Sequence, residues 1–131
     1  MSPAGSDLNS GQQESPWLTI QHAADAVQPG DTVYIRAGAY TEDVMFTVSG
    51  AQDERITFRA APNEDVTSRS LQITAGISSL NISNLTVQGF SVWGIDLYGN
   101  NHDIALSNLR VIGGEAGVHF TRGESGAAPE D

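Results

Sequence analysis

Short runs in which apolar and polar residues alternate recur at a fixed interval through the second half of the chain. Residues 79–89 read Ser-Leu-Asn-Ile-Ser-Asn-Leu-Thr-Val-Gln-Gly, and residues 103–113 read Asp-Ile-Ala-Leu-Ser-Asn-Leu-Arg-Val-Ile-Gly. Leu80 and Ile104, Ile82 and Leu106, Leu85 and Leu109, and Val87 and Val111 are each 24 positions apart. Ile95 and Val118, like Leu97 and Phe120, are 23 apart, so one residue drops out of the turn between them. Alternation with a period of two predicts half-buried strands. Several such strands in each repeat of this length predict a solenoid, in which each repeat buries its apolar side against the next.

The register extends towards the N-terminus. Ile56 and Phe58 precede Leu80 and Ile82 by 24, and Val33 and Ile35 precede Ile56 and Phe58 by 23. About four rungs are therefore expected, beginning near Thr32, Arg55, Ser79 and Asp103. Asn84 and Asn108 fall between two strands of the repeat. A stacked pair of side-chain amides there is expected to hydrogen-bond to each other and to the bending backbone. This pattern resembles the right-handed parallel β-helix of the pectate-lyase-like superfamily. The fold expected is all-β: a single-stranded parallel β-helix of about four rungs with a short N-terminal capping helix.

That helix is predicted from Thr19-Ile20-Gln21-His22-Ala23-Ala24-Asp25-Ala26-Val27. Thr19 is a suitable N-cap, and Ile20, Ala23, Ala24 and Val27 share one helical face. Pro29-Gly30 ends the helix. Its expected task is to cover the open first coil, with His22 on its surface. Residues 1–15 are polar and expected to be extended or loose, Ser49–Arg55 and Asn63–Ser70 read as turn excursions, and residues 123–131 read as a disordered tail. The helix and coils occupy residues 16–122. The segment Pro16–Tyr40, and Ile56-Thr57-Phe58-Arg59-Ala60-Ala61-Pro62 after it, resemble the N-terminal part of secreted β-helix proteins, many of them polysaccharide lyases and related glycan-processing enzymes. The resemblance spans roughly residues 5–122 and implies a secreted or extracellular address.

Composition narrows the choice of partner. Sixteen acidic and six basic residues give a net charge of −10, and every basic residue is arginine. Nucleic acid and anionic membrane are poor partners for such a surface. No stretch reaches the roughly 20 apolar residues of a membrane span. There is no cysteine, so disulfide and thiolate chemistry are excluded. The last rung lacks a second capping helix, so it either self-associates with another chain or continues in a longer protein.

Alternation also sorts candidate chemistry. In Ile95-Asp96-Leu97-Tyr98 the apolar pair faces inward, which turns Asp96 and Tyr98 outward. The same reading turns Gln72 outward one rung earlier, and His119 and Thr121 one rung later. Gln72, Asp96 and His119 are expected in one column, with Tyr98, Thr121 and Arg122 beside it. A carboxylate next to an imidazole on a rigid sheet is an acid–base or metal-binding pair, and it is equally a solvated surface contact. Asp96, His119 and Tyr98 are the catalytic candidates; Gln72, Trp93, Glu115, Thr121 and Arg122 are the substrate-binding candidates. Asp96 with Glu115 would supply the two carboxylates of a glycosidase, and Phe90 and Trp93 lie next to the same face. Asp7 and Asn9, two apart in a glycine-flanked loop, suit either a Ca²⁺ site or an ordinary Asx turn. Arg36 and Arg59, 23 apart, are expected to stack, with Glu42, Asp43 or Glu64 neutralising them. The resemblance implies a polysaccharide partner in the groove of the Asp96 sheet, a lyase base that is lysine or arginine, and Ca²⁺ as the accessory ion. The other reading is a non-catalytic module for glycan binding or subunit assembly, or a fragment without a complete site.

Overall fold

The computed structural model describes residues 1–89, 93–113 and 116–120. One helix, α1 (Ile20–Ala26), precedes the strands β1 (Thr32–Ile35), β2 (Gly38–Phe46), β3 (Ile56–Ala60), β4 (Val66–Ile73) and β5 (Ser78–Ser83). They are followed by β6 (Thr86–Gln88), β7 (Trp93–Leu97), β8 (His102–Ser107), β9 (Arg110–Ile112) and β10 (Ala116–Phe120). All strand pairs are parallel. One sheet stacks β1, β3, β5 and β8; the other runs β10-β7-β4-β6-β9, with β2 also on β4. The chain thus winds into a β-solenoid of about three turns. The rungs expected to begin near Thr32, Arg55, Ser79 and Asp103 correspond to the four stacked strands of the smaller sheet.

The interior is built of columns of like residues. Ile56, Leu80 and Ile104 lie in register, as do Phe58, Ile82 and Leu106. On the other sheet Val44, Leu71, Ile95 and Val118 form one column and Phe46, Ile73 and Leu97 the next, with Phe120 following Leu97 in the backbone register. Phe46 and Phe58 meet edge to face at 4.9 Å and join the two sheets across the core. Burial weakens along the axis: Val44 and Leu71 are fully buried, whereas Val118 is 44% exposed at the last described coil.

Four corners of the coil carry a left-handed backbone, and each recurs 24 residues later: Gly76 and Asn100, Ser79 and Asp103, Asn84 and Asn108, Gly89 and Gly113. Left-handed φ is unfavourable for most L-residues and is reached most readily by glycine, asparagine and aspartate. This corrects the expected asparagine ladder. Among the described residues no hydrogen bond joins the Asn84 and Asn108 amides; both residues sit at φ values of 62° and 51° and turn the chain. Asparagine marks the bend for its backbone rather than for stacking.

Two further expectations change. The first rung pairs Val33 with Phe58, Tyr34 with Arg59 and Ile35 with Ala60, an offset of 25 rather than 23. A shift of two keeps every side chain on its face, so hydrophobic pattern alone cannot distinguish the two registers. Arg36 and Arg59 therefore do not stack. Second, most of Asn63–Ser70 is not an excursion, because Val66–Ile73 is one continuous strand. Ser68 and Ser70 are buried in it and hid the alternation; Ser70 Oγ donates to Asp43 Oδ1 at 2.7 Å.

Helix α1 packs on β2 and protects the first coil. Thr19 caps it by accepting from the His22 N–H, and Glu42 accepts from the Ile20 and Gln21 N–H groups. Gln21 then substitutes for a missing strand: its Nε2 donates to Met45 O at 2.9 Å and its Oε1 accepts from Met45 N at 2.7 Å. Residues 1–15 are hydrogen-bonded to the body, with Ser2 N donating to Trp17 O and Ser6 N to Pro16 O. Ion pairs add cross-coil links: Arg69 to Asp43, Arg55 to Asp103, and Arg36 to Glu64. Glu64 neutralises Arg36, as expected.

Two outcomes follow. An added Cβ at Gly76 meets no atom within 4 Å, so substitution there tests backbone strain alone. Gly76→Ala should cost about 1 kcal/mol in urea unfolding, and Gly76→Asn, matching Asn100 one coil on, clearly less; equal losses would remove the corner argument. Hydrogen bonds from Arg69 and Ser70 hold the Asp43 carboxyl below its usual range, and a bond from Arg55 does the same for Asp103. Depressed folded pKa values stabilise the ionised state. That contribution is complete above the ordinary carboxylate value of about 4 and is lost as pH falls through the folded values. Melting temperature should drop as pH falls below about 4, with a shallower drop in Asp43→Asn.

Candidate functional site

The long strands β2 and β4 set the platform. Their outward positions Met45 and Gln72 are paired, Gln72 is paired with Asp96 on β7, and Asp96 with His119 on β10. Successive members stand one strand spacing apart, about 4.8 Å. The expected column of Gln72, Asp96 and His119 is thus present in the backbone register, extended by Met45. Ile95 and Leu97, on either side of Asp96, face the core and fix the direction of the carboxylate.

Asp96 departs from expectation in one respect. It lies on the outer side of its strand yet is only 6% exposed. A carboxylate withdrawn from water needs compensating contacts, and Asp96 does make a polar or electrostatic interaction. Gly94, two positions earlier on the same face, contributes no side chain, and Gly117 lies one coil on between the paired positions Ala116 and Val118. Trp93, which opens β7 opposite Ala116, is 39% exposed at its margin.

The coils differ in length between two pairings. Ser68 and Leu71, three residues apart on β4, pair with Val87 and Ile95, eight residues apart in the next coil. The next coil therefore holds five more residues between these two pairings. Tyr98 follows β7, donates its N–H to Ile73 O and is 37% exposed. Thr74, next to it, turns its hydroxyl back to Phe46 O at 3.1 Å. Glu115, Thr121, Arg122 and Phe90 lie outside the described residues, as does the segment 123–131.

Asp7 and Asn9 serve the N-terminal segment. Asp7 Oδ1 accepts from the Leu18 and Thr19 N–H groups at 2.9 Å, and Oδ2 accepts from Thr19 Oγ1 at 2.8 Å. Asn9 Nδ2 donates to Pro16 O, and its carbonyl accepts from Trp17 Nε1. These bonds anchor the loop to the start of α1. Among the described residues no group of three or more His, Asp or Glu side chains converges to hold a metal ion.

Sequence reasoning missed the Asp43–Arg69–Ser70 cluster on the same sheet as the column. Both Arg69 nitrogens in this contact reach Asp43 at 2.9 Å. The signal was absent because a register shift between Tyr40 and Asp43 breaks the repeat there.

The parallel pairing of stacked strands defines a parallel β-helix. The chain belongs to the family described as Pel9A-like, right handed beta helix region, which matches residues 1–129. It is 31% identical over 131 aligned residues to the uncharacterized protein YwoF of Bacillus subtilis (strain 168), an alignment covering 86% of this chain and 28% of that one. It is 37% identical over 68 residues to the pectate lyase PEL9 of Emericella nidulans, covering 50% of this chain and 17% of that enzyme. A rhamnogalacturonan lyase structure superposes with a TM-score of 0.77 at 20% identity, over 87% of this chain and 35% of that one; at that identity the likeness shows the fold alone. The chain spans about a quarter of YwoF and about a sixth of PEL9.

Proposed function

We propose that this chain is the polysaccharide-facing β-helix segment of an extracellular carbohydrate-active protein, lyase-like or glycosidase-like. The glycan would lie along the outer face of the six-stranded sheet. The observation that carries this reading is the register that aligns Gln72, Asp96 and His119 across three neighbouring strands. Family membership supports it, as does the pectate lyase relative.

In this reading Asp96 and His119 act on a proton or orient a hydroxyl. The core columns on both sides of Asp96 keep its position fixed, which favours catalysis by placement. Gln72 supplies a hydrogen-bonding amide, and Trp93 and Tyr98 offer ring surface at the margin. Glu115, Thr121 and Arg122 complete the contact set proposed for the following coil. Ca²⁺, if used, would neutralise a uronate carboxylate against the acidic surface; Asp7 and Asn9 are poorly suited to it, since their side chains already bind the backbone.

A second reading, binding without turnover, is favoured by one feature. The chain contains no lysine, so a lyase base within it would have to be arginine.

The test is incubation of the protein with neutral and acidic polysaccharides, with and without Ca²⁺, while absorbance of unsaturated products and new reducing ends are followed. Binding is measured in parallel by affinity electrophoresis. Retention on at least one polysaccharide is expected, weakened about tenfold in Asp96→Asn. Unsaturated products would assign a lyase, and reducing ends alone a hydrolase. A folded protein that neither retains nor cleaves any glycan ends this reading.

A further inference from the structure

The outer face of the four-stranded sheet carries chemistry that the Asp96 column does not use. One of its columns reads Tyr34, Arg59, Ser83 and Ser107, each in register with the next. The adjoining column is two threonines, an asparagine and an alanine: Thr32, Thr57, Asn81 and Ala105. No carboxylate stands at any of these positions, in a chain with a net charge of −10.

Arg59 is the unusual member. Among the described residues, Arg36, Arg55 and Arg69 each hold a carboxylate, whereas Arg59 and the exposed Arg110 hold none. Its Nε is buried and has no hydrogen-bond acceptor among the protein atoms. A buried donor without an acceptor costs about 1–3 kcal/mol, so the fold keeps Arg59 there against its own stability. The neighbouring acids are committed elsewhere. Glu64 binds Arg36 and the Ala37 N–H at one end of the strands, and Asp103 binds Arg55 at the other. Asn81 is also engaged, accepting from Arg55 and donating to Thr57.

Tyr34, directly beside Arg59, is 51% exposed on the same face. An exposed phenol ring next to a guanidinium without an anion presents a flat apolar surface and a fork of donors, with two serine hydroxyls further along. The column spans about 14 Å over three strand spacings. A guanidinium pairs best with a planar carboxylate, and an aromatic face suits the C–H side of a sugar ring.

We propose that this face is a second, accessory site that takes a carboxylate-bearing sugar. The ring rests on Tyr34, the carboxylate binds Arg59, and Ser83 and Ser107 meet hydroxyls of the adjoining unit. The site lies on a different sheet from Asp96 and concentrates an acidic polysaccharide that the net charge of the surface would otherwise repel. It shares the polysaccharide reading above, and variants on the two sheets separate the failure of one from the failure of the other.

The experiment is calorimetric titration of the full chain with a galacturonate tetramer, a galactose tetramer and acetate as probes. Binding of the galacturonate tetramer is expected to weaken about tenfold or more in Arg59→Gln and to keep that dependence on Arg59 when Asp96→Asn is combined with it, with circular dichroism verifying the fold. Tyr34→Ala, at an exposed edge position, should give a smaller loss and serves if Arg59→Gln does not fold. Weak or undetectable binding of the galactose tetramer and of acetate would support the joint need for ring and carboxylate. Equal affinity for the galactose tetramer, or for acetate, overturns the assignment. So does galacturonate binding that is indifferent to both Arg59→Gln and Tyr34→Ala, or no galacturonate binding by the folded parent.

Discussion

Each coil of this solenoid must return the chain to the same footprint one strand spacing further along the axis, and the left-handed corners enforce that return. Four bends recur at the same places, 24 residues apart. Each needs a residue that tolerates positive φ: Gly76, Gly89 and Gly113 have no Cβ, and Asn84, Asn100, Asn108 and Asp103 carry short polar side chains compatible with that region. When the corners coincide, the strands between them coincide, and like residues stack upon like. The Ile56–Leu80–Ile104 column is a consequence of corner geometry as much as of hydrophobicity.

The first coil has backbone that no preceding strand pairs, and this needs covering. The chain does this with side chains borrowed from a helix rather than with another strand. Gln21 bonds both backbone groups of Met45, Glu42 caps the start of α1, and Asp7 secures the residues before it. These are polar contacts between segments far apart in sequence. They make the N-terminal region part of the same cooperative unit as the coils.

The stacking that builds the core also builds the surface. Outward positions fall into columns for the same geometric reason as inward ones, so a single substitution places a new group at a defined spacing from its neighbours above and below. The six-stranded sheet presents an amide, a carboxylate and an imidazole residue in one such line. The four-stranded sheet presents a phenol, a guanidinium and two hydroxyls in another. The two faces differ in charge although the interior they share is uniform.

The sequence by itself determined the solenoid, the capping helix with Thr19 at its start, and the alignment of Gln72, Asp96 and His119, because an exact repeat of 24 or 23 residues over strong alternation admits one register for the later coils. It could not fix the first rung, where a two-residue slip leaves every side chain on the same face, nor reveal β4, whose inward Ser68 and Ser70 disguise it as a loop. It read Asn84 and Asn108 as a ladder when their backbone angles were what mattered. Only the tertiary structure decided that Asp96 is withdrawn from water on an outward-facing position, that Asp43 claims Arg69, and that Arg59 stands beside Tyr34 without a carboxylate. Those outcomes depend on which long-range neighbours reach a side chain, and no periodicity along the chain encodes that.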